Sequence, residues 1–279
     1  MLLRRPREAE RVGIMVERDP QSPDPLPCDT PSRAATRTST VVPIRDACAH
    51  CATCGVRRQC LAFGLDDASV RKLDALIGVR ISVKRKETLY WPGDPFSALY
   101  AIRLGTFKTM VSAGDGRQQV TGYRLPGDII GFDGIDDDRY TLQATALEDS
   151  EVCVLSFDKL EGLGAALPAL RRNIFRVASR DLVRQQTMML LLGSRSAEER
   201  LAVFLLDVAE RYWARGYSSS EFVLRMTREE IASYLGLKLE TVSRLFSSLQ
   251  ESGLIQVQGR AVKLLDPAQL RRLVVRAAN

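Results

Sequence analysis

The feature that most constrains the fold is a run of alternating polar and apolar residues between positions 81 and 155. Turn-forming residues interrupt it at short intervals, as in WPGDPFSALYAIRLG and SAGDGRQQVTGYRLPGD. A period of two is typical of strands that bury one face, and Gly, Pro and Asp mark the turns between such strands. Many short strands at this spacing predict a small barrel or jelly roll.

The length and composition of the chain indicate how many folded domains to expect and in which cellular compartment. The chain has 279 residues, of which 45% are hydrophobic and 27% charged, so two folded cores are expected. No run has the eighteen or so apolar residues of a membrane span, and the N-terminus lacks a signal-peptide pattern, so we expect a cytoplasmic protein. A net charge of +6 favours an anionic partner, although this excess alone is weak evidence for nucleic acid.

The first 46 residues differ in composition from the rest of the chain. They are rich in proline and arginine, and they include the Ser/Thr-rich stretch TPSRAATRTST. Such a segment has too few large apolar residues to offset the entropy lost on ordering, so we predict a disordered extension over 1–46.

A long helical pattern begins at Pro168, a residue suited to the first turn of a helix. Its apolar residues recur at spacings of three, four or seven, which makes a narrow stripe. One interpretation is a core helix that covers the barrel; the other is a seam between two copies of the chain. For the second, the predicted interface residues are Ile174, Ala178, Leu182, Gln185 and Met189.

Two further helices form a helix-turn-helix pattern near the C-terminus. TREEIASYLG has a capping box formed by Thr227 and Glu230, and LKLETVSRLFSSLQESG follows after Gly236. In the second helix one face is apolar, and the opposite face carries side chains suited to base edges. The residues of that polar face are Glu240, Ser243, Arg244 and Ser247. A solvated helix face is the alternative explanation.

The segment GLIQVQGRAVKLL predicts a hairpin turning at Gly259 and Arg260, which completes a winged helix-turn-helix. Arg260 in the wing can contact phosphates. Lys238 stands at the N-cap of the recognition helix, where Ser, Thr, Asp or Asn is usual, so it too is expected to contact a phosphate. Thr241 and Ser247 complete the predicted contacts to the DNA backbone.

A cluster of cysteines precedes the barrel pattern in ACAHCATCGVRRQC. Cys51, Cys54 and Cys60 lie close together in sequence, with Cys48 just before them and Cys153 far downstream on a predicted strand. In a reducing compartment such thiols are more typical of a metal or redox site than of structural disulfides. On spacing alone, an iron–sulfur cluster, zinc and a thiol or disulfide sensor all remain open.

These motifs resemble the CRP/FNR superfamily of bacterial transcription regulators, and within it the oxygen-responsive FNR branch. The resemblance covers about residues 47–275: CATCGVRRQCLAFGL is similar to the cysteine box, QQVTGYRLPGDIIGFDGI to the sensory barrel and MTREEIASYLGLKLETVSRLFSSLQESGLI to the DNA-binding domain. It implies that Cys51, Cys54, Cys60 and Cys153 hold one oxygen-labile 4Fe–4S cluster per subunit. It also implies that Glu240, Ser243 and Arg244 contact bases in a palindrome close to TTGAT-N4-ATCAA.

The resemblance implies an α+β fold: a cyclic-nucleotide-binding-like β jelly roll, a long dimerisation helix and a winged helix-turn-helix. The expected divisions are a cysteine-rich loop at 47–65, a sensory β-roll at 66–165, the dimerisation helix at 166–194 and the DNA-binding domain at 195–279. The expected partners are double-stranded DNA, RNA polymerase and a second copy of the chain. Oxygen is expected to destroy the cluster and switch off this regulator of anaerobic genes.

Departures from the family pattern and competing functions are also visible. The Arg-Ser pair that holds a cyclic nucleotide is replaced by Tyr140-Thr141, next to the acidic run Asp136–Asp138, so no cyclic nucleotide is expected. Cys28 has no family counterpart, and Gln185 stands where relatives often carry an acid. No flavin, nicotinamide or phosphate-loop motif is present, so we expect no enzyme activity; the alternatives are an iron–sulfur electron carrier or enzyme, and a zinc or thiol redox regulator.

Overall fold

The computed structural model describes residues 42–44, 50–77, 79–112 and 116–276. Their first part is a barrel of two antiparallel sheets. A five-stranded sheet has the order β1-β2-β9-β4-β7, and a four-stranded sheet has the order β3-β8-β5-β6. The strands are β1 Val42–Ile44, β2 Val79–Val83, β3 Thr88–Tyr90, β4 Ala98–Leu104, β5 Phe107–Ser112, β6 Gln118–Arg124, β7 Ile129–Ile130, β8 Gln143–Ala146 and β9 Ser150–Ser156.

The two sheets pack face to face around one apolar core. Val83, Ile102 and Val152 of the larger sheet and Phe107 and Ala144 of the smaller sheet are all almost fully buried in it. The alternation seen in the sequence therefore corresponds to alternate residues facing this core. The predicted β jelly roll is confirmed.

The larger sheet also buries its outer face. Helix α1, Asp67–Leu76, packs there with the cysteine loop and with α2, Phe157–Ala166. The residues that meet on this face include Leu99, Leu155 and Leu73. A sheet that is covered on both sides is a rigid support for any group attached to its outer face.

Strand β1 corrects part of the prediction for the N-terminal extension. Val42–Ile44 pair with Arg80–Ser82 of β2 in antiparallel register, within the range predicted to be disordered. The sequence Val-Pro-Ile includes two β-branched residues that favour strands, and a proline is tolerated on an edge strand such as this one. The rest of that extension, with Cys28 and Cys48, lies outside the described residues.

Helix α3, Pro168–Ser194, is the long helix predicted from the sequence. Leu170 and Val177 are buried against the outer face of the larger sheet, while a second stripe is exposed. The exposed apolar side chains are Phe175, Leu182, Val183, Met189 and Leu190. The two interpretations of this helix are therefore compatible, because one face covers the barrel and another is open to a partner.

The predicted interface residues of α3 divide between these faces. Leu182 and Met189 are exposed, and Ala178 and Gln185 are half-buried. Ile174 is also half-buried and packs against the apolar cluster of its own barrel.

The C-terminal part is a three-stranded sheet with four helices. Helix α4, Ala197–Trp213, begins with a capping box formed by Ser196 and Glu199. The remaining elements are β10 Glu221–Val223, α5 Arg228–Leu235, α6 Leu239–Glu251, β11 Ile255–Gln258, β12 Ala261–Leu264 and α7 Pro267–Arg276. The winged helix-turn-helix is confirmed; β10, which the sequence did not indicate, pairs with β12 and enlarges the wing.

Polar contacts join this C-terminal part to the barrel. Lys108 of β5 forms an ion pair with Glu230 of α5 at 2.8 Å, and the backbone N–H of Val120 donates to the Ser233 hydroxyl at 2.9 Å. A deeper contact is made by Asp128, in the turn before β7, which pairs with Arg211 of α4. None of the helices in the described ranges combines the length and apolar character of a membrane span.

Candidate metal centre and nucleic-acid interface

The four described cysteines come together on the outer face of the larger sheet. Cys51 starts a short 3-10 turn, Cys54 ends it and Cys60 lies in the following turn. Cys153 is in β9, opposite Ala101 of β4. Neighbouring Val152 faces the barrel core, so the pleat of the strand directs Cys153 outwards to the loop.

All four thiols line one small, mostly apolar pocket, together with Leu73, Ala101, Ile102 and Leu155 among others. They form no disulfide with one another. Within the described ranges, no group of three or more His, Cys, Asp or Glu side chains is placed to hold a metal ion. The thiols therefore share a pocket without forming a ready-made coordination shell.

Burial makes three of these thiols, those of Cys51, Cys60 and Cys153, weak acids. It raises the pKa of Cys60 to about 11 and that of Cys153 to about 12, and it raises the pKa of Cys51 well above its usual range. Asp74, Cys60 and Cys153 raise the pKa of Cys51 further. Thiolates in this pocket need a positive partner, and a metal centre provides one because metal ligation deprotonates thiols.

Side chains from two helices fix the backbone of the cysteine loop. Asp74 of α1 accepts a hydrogen bond from the Cys51 N–H at 2.7 Å. Asn173 of α3 donates to the carbonyls of Leu61 and Phe63 at 2.7 and 2.8 Å. These supporting residues were missed in the sequence, where Asn173 lies among apolar and basic residues without a recognisable motif.

Helix α6 exposes the predicted base-reading face. Val242, Phe246 and Leu249 are buried, which turns the opposite side to solvent. There Arg244 donates to Glu240 at 2.6 Å, and their side chains are 79% and 72% exposed. The Ser243 hydroxyl donates to the Leu239 carbonyl at 3.0 Å. The three predicted base-contacting residues therefore lie on one accessible surface.

The predicted phosphate contacts flank this surface. Lys238 is the N-cap residue of α6 and makes no side-chain capping bond, as expected from the sequence. Gly236 in the turn has a φ of 62°, a left-handed conformation that favours glycine. Arg260 lies in the turn between β11 and β12 and donates to the Arg225 carbonyl at 3.2 Å. Thr241 is half-buried and Ser247 is exposed on α6.

Comparisons with known proteins agree with this architecture. Residues 80–166 match the cyclic nucleotide-binding domain family, and residues 199–273 match the Crp-like helix-turn-helix domain family. The chain is 44% identical over 233 residues to the transcriptional regulatory protein btr of Bordetella pertussis, which covers 84% of this chain and 96% of that protein. It is 42% identical over 224 residues to the anaerobic regulatory protein of Pasteurella multocida, covering 80% and 82%.

A solved structure supports the same arrangement of elements. FixK2 from Bradyrhizobium japonicum superposes with a TM-score of 0.63 at 30% sequence identity. The match covers 70% of this chain and 96% of that one.

Proposed function

Because the chain belongs to the CRP/FNR family of transcription regulators, in its FNR branch, we propose that an oxygen-labile 4Fe–4S cluster controls its binding to DNA. The ligands in this proposal are Cys51, Cys54, Cys60 and Cys153. The observation that carries it is the shared pocket, to which β9 contributes one thiol and the N-terminal loop contributes three. The relative named an anaerobic regulatory protein supports an oxygen-linked role.

The donor set and its surroundings suit this group. Four sulfur ligands are typical of iron–sulfur clusters, and the pocket around them is lined mostly by apolar groups. When bound, the cluster supplies iron–thiolate bonds that tie the loop to β9 and that oxygen can break. The chain itself positions the loop through Asp74, Asn173 and Arg57, whose guanidinium donates to the carbonyls of Ala62 and Leu65.

The proposed output is binding to palindromic DNA as a homodimer. Two chains pair through α3, with Leu182, Gln185 and Met189 at the contact and Ile174 and Ala178 beside it. Each recognition helix then enters a major groove, with about 34 Å between the two, as a twofold site requires. Glu240, Ser243 and Arg244 read a site close to TTGAT-N4-ATCAA. Lys238, Thr241, Ser247 and Arg260 contact phosphates, and the barrel surface contacts RNA polymerase.

In this proposal the barrel binds no cyclic nucleotide, although it matches the cyclic nucleotide-binding family. Tyr140 stands where the phosphate-binding arginine is expected, and it is buried with its hydroxyl donating to the Ala98 carbonyl at 2.7 Å. Its ring stacks on Tyr90 with centroids 4.1 Å apart. A thermal shift assay with cyclic AMP is expected to leave the melting temperature unchanged.

The experiment that tests the proposal starts from protein purified without oxygen. Iron and acid-labile sulfide are measured, and a gel shift on the palindrome is recorded before and after exposure to air. We expect about four iron atoms per chain and DNA binding that air abolishes. Alanine at any of the four ligands should remove the iron, whereas Cys28→Ala should retain it. DNA binding that is independent of air in an iron-free protein would contradict the oxygen switch.

A further inference from the structure

Helix α3 holds the cysteine loop through hydrogen bonds on both sides of Cys60. The two N–H groups of the Asn173 amide donate to the carbonyls of Leu61 and Phe63, and the side chain is buried. About two turns further along the helix, Arg180 donates to the Gln59 carbonyl at 2.8 Å. Since Gln59 and Leu61 are the neighbours of Cys60, the backbone on each side of this thiol is attached to α3.

A third residue of α3 faces the same loop. The Arg176 guanidinium lies over the Phe63 ring, 4.0 Å from its centroid. Both Arg176 and Arg180 also interact electrostatically with the thiol group of Cys60. Arg176 and Arg180 therefore both contact the part of the loop that carries Cys60.

The loop-binding face of α3 lies opposite its exposed apolar stripe. Asn173, Arg176 and Arg180 are spaced by three and four residues, so they share one face. Phe175, Leu182 and Met189 are spaced by seven and are 67%, 60% and 72% exposed. At 3.6 residues per turn, the two faces are about 150° apart around the helix axis. A movement of the cysteine loop therefore acts on one side of α3, and the opposite side of α3 carries the proposed dimer contact.

We propose that Asn173 and Arg180 are positioning residues that transmit the state of the cysteine loop to the dimer face of α3. The inference rests on the proposed function and adds the route by which the cluster site controls pairing. When the cysteines of the loop and Cys153 hold the cluster, the carbonyls of Gln59, Leu61 and Phe63 keep α3 in the orientation that allows two chains to pair. When the loop relaxes, these bonds are lost and the helix is released.

The test compares Arg180→Met with Arg172→Met in full-length protein reconstituted with iron and sulfide without oxygen. Both variants remove one positive charge from α3, but Arg172 is exposed and outside the loop contact. Iron, sulfide and visible absorption report the cluster, and analytical ultracentrifugation reports the dimer dissociation constant. We expect Arg180→Met to keep wild-type iron and to raise that constant about tenfold, corresponding to one lost charged hydrogen bond. Arg172→Met should match the wild type.

Asn173→Ala provides a second variant, with circular dichroism melting of the cluster-free protein as a check on folding. It should also weaken pairing at unchanged iron content, and cluster-free wild type and variants should pair equally poorly. If the cluster-loaded Arg180→Met protein dimerised as tightly as the wild type, the inference would be overturned while the proposed function would stand. The same holds if dimerisation were lost only in proportion to the loss of iron. Wild-type protein that takes up no iron would instead overturn the proposed function, and the inference with it.

Discussion

Asp128 of the barrel lies 2.6 Å from Arg211 of α4, and both side chains are almost completely buried. The same carboxylate pairs at 2.9 Å with Arg215, in the turn that follows α4, and at 3.5 Å with Arg184 of α3. One aspartate is therefore the common counter-charge for three guanidinium groups, one from α3, one from α4 and one from the turn after α4. Burial by itself would raise the pKa of Asp128, but these arginines hold it well below its usual range.

Replacing this aspartate should be costly. Asp128→Asn leaves three buried or half-buried arginines without their shared carboxylate, and we expect the free energy of unfolding to fall by about 3–5 kcal/mol. Urea denaturation at neutral pH measures this change in the free energy of unfolding. Asp149→Asn is the matched control, because Asp149 pairs with Lys84 on the open surface. A stable Asp128→Asn protein would show that the network is not needed for folding.

The same site predicts a pH dependence. Since the pKa of Asp128 is lower in the folded protein than in the unfolded chain, its contribution is complete above about pH 4 to 5 and is lost as the pH falls further. The wild type should therefore lose stability more steeply than Asp128→Asn below about pH 4. Unfolding free energies measured at a series of acidic pH values test this. Parallel curves for the two proteins would contradict it.

Substitutions at two positions of the recognition helix should have distinguishable effects on DNA binding. Arg244→Ala should cost about 1–3 kcal/mol and relax the preference at one base pair, because a bidentate contact to guanine is lost. Lys238→Ala should weaken binding to all DNA sequences similarly, and it should reduce the slope of log affinity against log salt by about one for each subunit of the dimer. Binding to substituted palindromes at several salt concentrations separates the two. Uniform weakening by Arg244→Ala would exclude its base-reading role.

Gly122 of β6 allows Arg124 to fold back towards α3. A Cβ at this position would meet the Thr109 hydroxyl at 2.5 Å and Arg124 Nε at 2.7 Å. Arg124 forms an ion pair with Asp181 of α3, so Gly122→Ala should disturb this pair and destabilise the protein by about 1–3 kcal/mol. In Gly162→Ala, by contrast, the added methyl meets nothing and should stabilise α2. Thermal denaturation should show opposite signs for the two variants.

Thr227 caps the first helix of the helix-turn-helix. Its hydroxyl accepts from the Glu230 N–H at 3.2 Å, while the Glu230 carboxylate accepts from the Thr227 N–H and from Lys108 of the barrel. Thr227→Ala should lower stability by about 1 kcal/mol. Thr187→Ala, an exposed threonine within α3, should have little effect. Equal melting temperatures for both variants would contradict the capping role.

The secondary structure of both halves was predictable because its determinants are local. Alternation and turn residues indicate the barrel strands, and the Thr227 and Glu230 pair indicates where α5 begins. The Asp128 network was not predictable, because Arg211 and Arg215 resemble ordinary charges on a helix surface. Only the fold brings a barrel turn against the end of α4 and the turn that follows it, so no pattern within this segment could indicate that the two guanidinium groups are buried.

The cysteine site was predictable in part. The spacing of Cys51, Cys54 and Cys60 marks a thiol site, but spacing alone leaves several metals and redox roles open. The position of Cys153 depends on the register of β9 between β2 and β4, which arises from long-range pairing. The contribution of Asn173 was missed because a single amide in a helix has no signature until its acceptors are known.

The accessibility of Glu240 and Arg244 in a single chain limits how any signal can govern this protein. Nothing within the described residues shields these side chains, so control cannot depend on unmasking them. A single subunit already exposes its recognition helix, but in the proposed function it contacts only half of the palindrome. Affinity for DNA is then gained when a dimer binds both half-sites at once. Occupancy of the promoter should therefore rise with the square of the subunit concentration when most of the protein is monomeric.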